Sequence, residues 1–176
     1  MHRMIEMTEP IEIYFSGEKL EMLAILFGCL FATVVTTMFW YHDRGQFSRG
    51  LLTSVALSSL LLCSTAVGLL VRDGSMRSSL IEQVGRGEAD SVFAAEKARI
   101  GIVIAKYPMY RKAAVLLGLL SVIAVWVWPR EAVAGLATGL LLLVAAQFFI
   151  DHVSERRARS YLASLHQHSL LSIIPP

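Results

Sequence analysis

Apolar and charged positions in this chain are segregated rather than interleaved. Four stretches, Met22 to Tyr41, Gly50 to Val71, Ala113 to Trp128 and Ala132 to Ile150, contain no Asp, Glu, Lys or Arg. A hydrocarbon core of about 30 Å takes about 20 helical residues, and backbone groups in lipid find partners only within a helix or a closed barrel. The first, second and fourth stretches reach that length. The third is shorter, but Arg111 and Lys112 at its start extend aliphatic stems along a helix and lift their charges to the headgroups. The pattern predicts an all-α polytopic membrane protein with four transmembrane helices, over residues 20–41, 50–72, 110–128 and 132–152.

Outside the spans the pattern changes period. Residues 73–112 are too long and too patterned for a plain connector, and they predict a cytoplasmic helical hairpin that prolongs spans two and three. Gly85-Arg86-Gly87 supplies the turn; beyond it Phe93, Ile100, Ile104 and Tyr107 recur at helical spacing, with Glu96, Lys97 and Arg99 covering much of the remaining surface. That apolar face either packs on the first arm or docks a partner. Pro108 disfavours helical geometry at Tyr107 and predicts a break or kink before span three. The tail, residues 153–176, continues span four as a helix, with Tyr161, Leu162 and Leu165 as an apolar stripe and Arg156, Arg157 and Arg159 beside anionic lipid. Ahead of span one, Ile11, Ile13 and Phe15 alternate with Glu12 and Tyr14, the mark of an extended or interfacial stretch. Pro10 argues against an earlier helix start, and Ser16 reads as the cap.

Composition agrees. The chain has 176 residues, 55% of them hydrophobic, and a mean hydropathy of +0.58. Those values exclude an ordinary soluble enzyme, and every charge falls outside the four stretches. Of the 16 Lys and Arg, 13 lie on the side of the termini and central loop, whereas only Arg44, Arg49 and Arg130 lie on the other. By the positive-inside rule both termini are cytoplasmic, and Trp40, Tyr41, Trp126 and Trp128 gather at the opposite interface. The same bias accounts for the net charge of +2, leaving no reason to expect nucleic acid. A leader rich in Glu, and a run ending Phe39-Trp40-Tyr41-His42, predict a retained span rather than a cleaved signal.

Candidate chemistry is sparse. Gly135 and Gly139 form a GxxxG pair in span four; Gly28 with Ala32, and Ala114 with Gly118, are related pairs that predict close helix packing, within the monomer or between copies. Span two carries Ser54, Ser58, Ser59, Ser64 and Thr65. No charge lies deep in a span. Glu21 and Asp151 sit at the boundaries of spans one and four, where they either pair with each other, Arg111 or Lys112 to fix helix register, or hold a proton or cation. Cys29 and Cys63 lie at similar depth, as packing residues without a disulfide. His166 and His168 lack the Cys or Asp support of a metal site. With no GxSxG, HExxH or P-loop, neither enzyme activity nor a cofactor is expected.

Two segments carry a resemblance. Ile13-Tyr14-Phe15-Ser16-Gly17-Glu18-Lys19 before span one, and Glu155-Arg156-Arg157-Ala158-Arg159-Ser160-Tyr161-Leu162 after span four, resemble small, uncharacterised four-span inner-membrane proteins of Gram-negative bacteria. The resemblance implies a bacterial inner membrane, and some proteins of this general look are immunity partners of secreted toxins. The expected function is therefore a non-enzymatic interaction protein that contacts membrane lipid and holds a partner protein, most concretely an immunity protein. Its expected contact residues are Glu18, Glu21, Phe93, Glu96, Arg99, Ile100 and Tyr107, together with the small-residue face of span four. The alternatives are a homo-oligomeric channel or small transporter, supported by the Ser and Thr of span two and the boundary acids, and an accessory subunit of a larger membrane complex.

Overall fold

A computed structural model describes the backbone of residues 2–87 and 89–171 and the side chains of residues 9–87 and 91–167. The described residues form four helices: α1 (His2–Asp43), α2 (Gln46–Gly85), α3 (Ala89–Val127) and α4 (Glu131–Leu171). Each is long and apolar enough to cross a membrane, so the chain is a multi-pass membrane protein of all-α class. The helices divide between two compact units, one built from Met22–Gly68 and Pro108–Asp151, the other from Met1–Glu21, Leu69–Tyr107 and His152–Pro176.

The first of these, the apolar unit, is packed inside out by the standards of a soluble bundle. Its large side chains face outward: Phe27 and Phe149 are 71% and 72% exposed, and Leu30, Leu60, Leu116 and Leu142 behave alike. Its interior is small and hydroxylated, with Cys29, Thr36, Ser48, Ser54, Ala66, Ala114, Ser121 and Ala137 buried. Lipid solvates the Leu and Phe surface as well as a protein core does, so small residues that let backbones approach take the inside. The hydroxyls are satisfied on their own helices, Thr36 Oγ1 donating to the Ala32 carbonyl at 2.8 Å and Ser121 Oγ to that of Leu117 at 2.8 Å. Between α1 and α2, Thr33 Oγ1 donates to Ser59 Oγ at 3.2 Å beside the free thiols of Cys29 and Cys63.

The closest approach is between α2 and α4. A Cβ on Gly135 would collide with the Phe47 carbonyl oxygen, one on Gly139 with Ser54 Oγ, and one on Gly50 with the Ala132 carbonyl oxygen. The GxxxG pair of α4 is thus used within the monomer, and Gly50 is its counterpart on α2. Gly118 on α3 lies against Val144 and Leu141 of α4 at ordinary contact distance. Gly28 corrects the sequence reading: nothing lies within 4 Å of where its Cβ would be. The packed face of α1 runs through Met22, Cys29, Thr33 and Thr36, leaving Gly28 outside and Ala32 half-buried.

In the polar unit, Ile11, Tyr14 and Phe15 of α1, Val84 of α2, Val92, Phe93 and Ile100 of α3, and Ala158, Tyr161 and Leu165 of α4 form one core. The extended stretch expected before span one is absent, because α1 is already helical through Pro10 and Ile11. The alternation of Ile11, Ile13 and Phe15 was the misleading signal. Ile13 is 64% exposed, and the buried set 11, 14, 15 has helical spacing. Ser16 accordingly lies in the middle of α1, exposed, with its Oγ donating to the Ile13 carbonyl at 3.0 Å, and does not cap a helix start. The α2–α3 turn falls at Arg86-Gly87, with Gly87 at φ 87°, where glycine is unstrained. Pro108 does not break α3, which runs through it. Proline removes one backbone donor and crowds one carbonyl, and burial of Tyr107 in the preceding turn, with Ile104 packed on the core, holds the helix across that defect.

Candidate functional site

The polar unit holds a network of buried charge. Helix α1 contributes Tyr14, Glu18 and Glu21, three to four residues apart and so on one face; α2 contributes Arg72 and Asp73, α3 Glu96 and Arg99, and α4 Ser154, Arg157 and Tyr161. Glu21 accepts hydrogen bonds from Arg157 Nη2 and Ser154 Oγ, tying α1 to α4. Gly17, one turn earlier, leaves room for that arginine, since a Cβ there would sit 3.0 Å from Arg157 Nε. Arg99 grips Glu96 through two bonds, Nε to Oε2 at 2.8 Å and Nη2 to Oε1 at 2.6 Å, and the hydroxyl of Tyr161 approaches the same Oε1 at 3.4 Å. Tyr161 stacks on Tyr14 with centroids 4.3 Å apart and planes 16° from parallel. Arg72 Nε donates to Asp73 Oδ1 at 2.8 Å. An exposed pair, Arg77 with Glu12 at 3.0 Å, links α2 to α1.

The electrostatics follow from this packing. Burial, reinforced by the negative charge of Asp73, pushes the Glu18 carboxyl up to about 7. Burial likewise raises the Tyr14 and Tyr161 hydroxyls well above the ordinary tyrosine range, with Glu18 and Glu96 respectively adding to it. Burial opposes the charge of Arg99, but its bonds to Glu96 outweigh that and hold the guanidinium above its usual value. Two carboxylate oxygens in this network, Glu18 Oε2 and Asp73 Oδ2, are fully buried without a hydrogen-bond partner.

Several expected site residues therefore change role. Phe93, Glu96, Ile100 and Tyr107 are buried and Arg99 is largely covered, so they build the interior of the unit rather than an open docking face. The reason lies in the helical register, which turns Phe93 and Ile100 toward α1 and α4 residues of the same core. Glu18 and Glu21 face inward as well, and the partner of Glu21 is Arg157, not Arg111 or Lys112. Asp151 is buried and accepts a hydrogen bond from Gln147 Nε2 at 2.7 Å, and Arg111 also has an interaction partner. Sequence reasoning missed Tyr14, Asp73, Arg157 and Tyr161 as members of the network. For Tyr14 the signal was available, in the four-residue step from Tyr14 to Glu18. Asp73 gave none, because an acid next to Arg72 at a span boundary looks like any interfacial pair.

No group of three or more His, Cys, Asp or Glu with metal-binding geometry occurs among the described residues, and the side chain of His168 lies outside them. The other face of α3 is open, with Ala94, Ala95, Ala98, Gly101, Ile102 and Ala105 exposed. Compared with known proteins, the chain matches no family model, no curated protein and no solved structure.

Proposed function

We propose that this chain is a non-enzymatic inner-membrane protein that holds a partner protein at the membrane, most concretely an immunity protein that binds and neutralises a toxin. The observation that carries the reading is the open face of α3. Ala94, Ala98, Gly101 and Ala105 make a smooth strip of small residues along the exposed face of α3, and Ile102 beside it is 61% exposed. Contiguous exposed apolar surface on a polar unit marks a protein contact, and small residues let a second helix lie close. The charge bias of the loops favours a cytoplasmic position for this unit and for both termini. The immunity assignment rests on the resemblance carried by Ile13 to Lys19 and Glu155 to Leu162. An accessory subunit of a larger membrane complex would use the same face and differ only in the partner.

Extraction in a mild detergent followed by native mass spectrometry of the intact particle tests this reading. A second polypeptide at fixed stoichiometry, lost on Gly101→Arg, supports it, and loss of protection against a neighbouring toxin on the same substitution makes the partner a toxin. A particle that contains only this chain overturns it. The second reading, a homo-oligomeric channel or small transporter, is favoured by the buried carboxyls of Glu18 and Asp73; ion flux in liposomes abolished by Asp73→Asn would place it first.

A further inference from the structure

Counting charges in the buried network leads to a site independent of any partner. Three carboxylates each have their own arginine: Asp73 with Arg72 at 2.7 Å, Glu96 with Arg99 at 2.6 Å, and Glu21 with Arg157. Glu18 is the fourth acid, and each of the three arginines is paired with one of the others. The charged groups acting on it are Asp73 and Arg72 from α2, Arg99 from α3 and Arg157 from α4, and of these Asp73 acts most strongly; Tyr14, one turn back on α1, interacts with it as well. The Asp73 side chain is only 9% exposed, and the oxygen that Arg72 does not engage, Oδ2, is fully buried without a donor. Glu18 Oε2 is in the same condition. Two acceptor oxygens with no donor, on mutually repelling carboxylates, are an expensive arrangement when both are ionised. One proton removes the repulsion and supplies the missing donor.

We propose that Glu18 and Asp73, whose free oxygens are both buried without a donor, form a proton-binding site in the polar unit, with one proton held by the pair, chiefly on Glu18. Uptake of that proton tightens the α1–α2 contact of the unit, and its release leaves two mutually repelling charges in one buried network, which loosens it. The occupant is a proton rather than a metal ion, because the described residues include no third carboxylate, His or Cys placed to complete a coordination shell.

The experiment is a pH titration of the full-length protein in detergent, followed by the protonated-carboxyl stretch in infrared difference spectra. The expected result is one carboxyl band that titrates near pH 7, disappears in Glu18→Gln and moves to lower pH in Asp73→Asn, where the repelling charge is gone. The protection factors of amides in the α1 segment Ile11–Glu21, corrected for the intrinsic base-catalysed rate, should fall as the wild-type band is lost and stay constant with pH in Glu18→Gln. Glu18→Gln is nearly isosteric, and unchanged helical circular dichroism establishes that it folds. A wild-type protein with no carboxyl titrating within about one unit of neutrality, or a neutral-range band that survives Glu18→Gln, overturns the proposal. If Glu18→Gln does not fold, Asp73→Asn alone decides: a band that stays at the wild-type pH refutes the pairing.

Discussion

Gly28 and Gly135 occupy equivalent-looking small-residue motifs in two apolar helices, yet alanine at the two sites is expected to have opposite consequences. At Gly135 a Cβ would lie 2.8 Å from the Leu51 nitrogen and 2.9 Å from the Phe47 carbonyl carbon, besides colliding with that carbonyl's oxygen. Ordinary contact begins at 3.4 Å, so α2 and α4 must separate by about half an ångström or more. A gap of that order forfeits a quarter or more of the dispersion energy of each contact it opens. The obstruction is backbone, which cannot rotate aside, and so the cost belongs in the upper part of the overpacking range, about 2–3 kcal/mol. At Gly28 nothing lies within 4 Å, and alanine brings only its better helix propensity. Pulse proteolysis along an SDS titration in mixed micelles gives the unfolding free energy of each variant of the full chain. Gly135→Ala should unfold at clearly lower SDS and Gly28→Ala at the wild-type fraction or above. Equal shifts for the two would refute the claim that α2 and α4 meet through Gly135.

Other outcomes follow from the polar unit. Because the Glu18 carboxyl sits at about 7 against an ordinary 4.5, the folded state binds its proton more tightly than the unfolded chain does. Stability from this group is therefore complete below about pH 4.5 and is lost as pH rises through 7, by on the order of 3 kcal/mol, a slope that Glu18→Gln should abolish in thermal melts. Glu21→Ala strands Arg157, whose side chain is still 21% exposed, so the loss should fall below the about 3–5 kcal/mol of a fully buried pair; Glu21→Ala with Arg157→Ala should cost less than the two single changes added. Leu165→Ala and Ile100→Ala, at fully buried positions of one core, should each cost about 2–5 kcal/mol in chemical denaturation. Ile102→Ala should leave stability nearly unchanged while weakening partner co-purification.

The four helices were legible because lipid imposes a coarse constraint: a run without charges and about 20 residues long has few other fates. The turn at Gly85-Arg86-Gly87 was legible from its glycines. Helix starts and faces were not, for local reasons. In the segment from Ile11 to Phe15 a period of two and a period of 3.6 share two of their three apolar positions, and only burial of Tyr14 in place of Ile13 separates them. Pro108 carries a real local preference against helix, which long-range packing overrode. The docking residues on α3 were read from an apolar periodicity that a buried face and a binding face share, so Phe93 and Ile100 could be placed only once α1 and α4 were known to cover them. Small-residue motifs gave the same difficulty, since Gly28 and Gly135 differ in what lies opposite and not in their own sequence.

The link from Asp43 to Gln46 consists of Arg44 and Gly45 alone, and only residues 128–130 join α3 to α4. Arg44 takes a left-handed conformation at φ 53°, its backbone nitrogen bonds the Trp40 carbonyl at 2.9 Å, and its guanidinium lies over the Tyr41 ring at 5.1 Å. Links this short dictate how a ribosome-fed chain enters a bilayer. No slack exists for one helix to stand apart from the next, so α1 with α2 and α3 with α4 form two closed hairpins whose tips carry few charges. Those charges belong to Asp43, Arg44 and Arg49 in the first hairpin and to Arg130 and Glu131 in the second. The seam of Gly50, Gly135 and Gly139 joins one hairpin to the other, and it therefore cannot begin to form until synthesis has passed α4. Between those two moments α1 and α2 reside in the membrane with Gly50 and Ser54 uncovered, the interval in which the newly made protein is open to capture by the wrong helix.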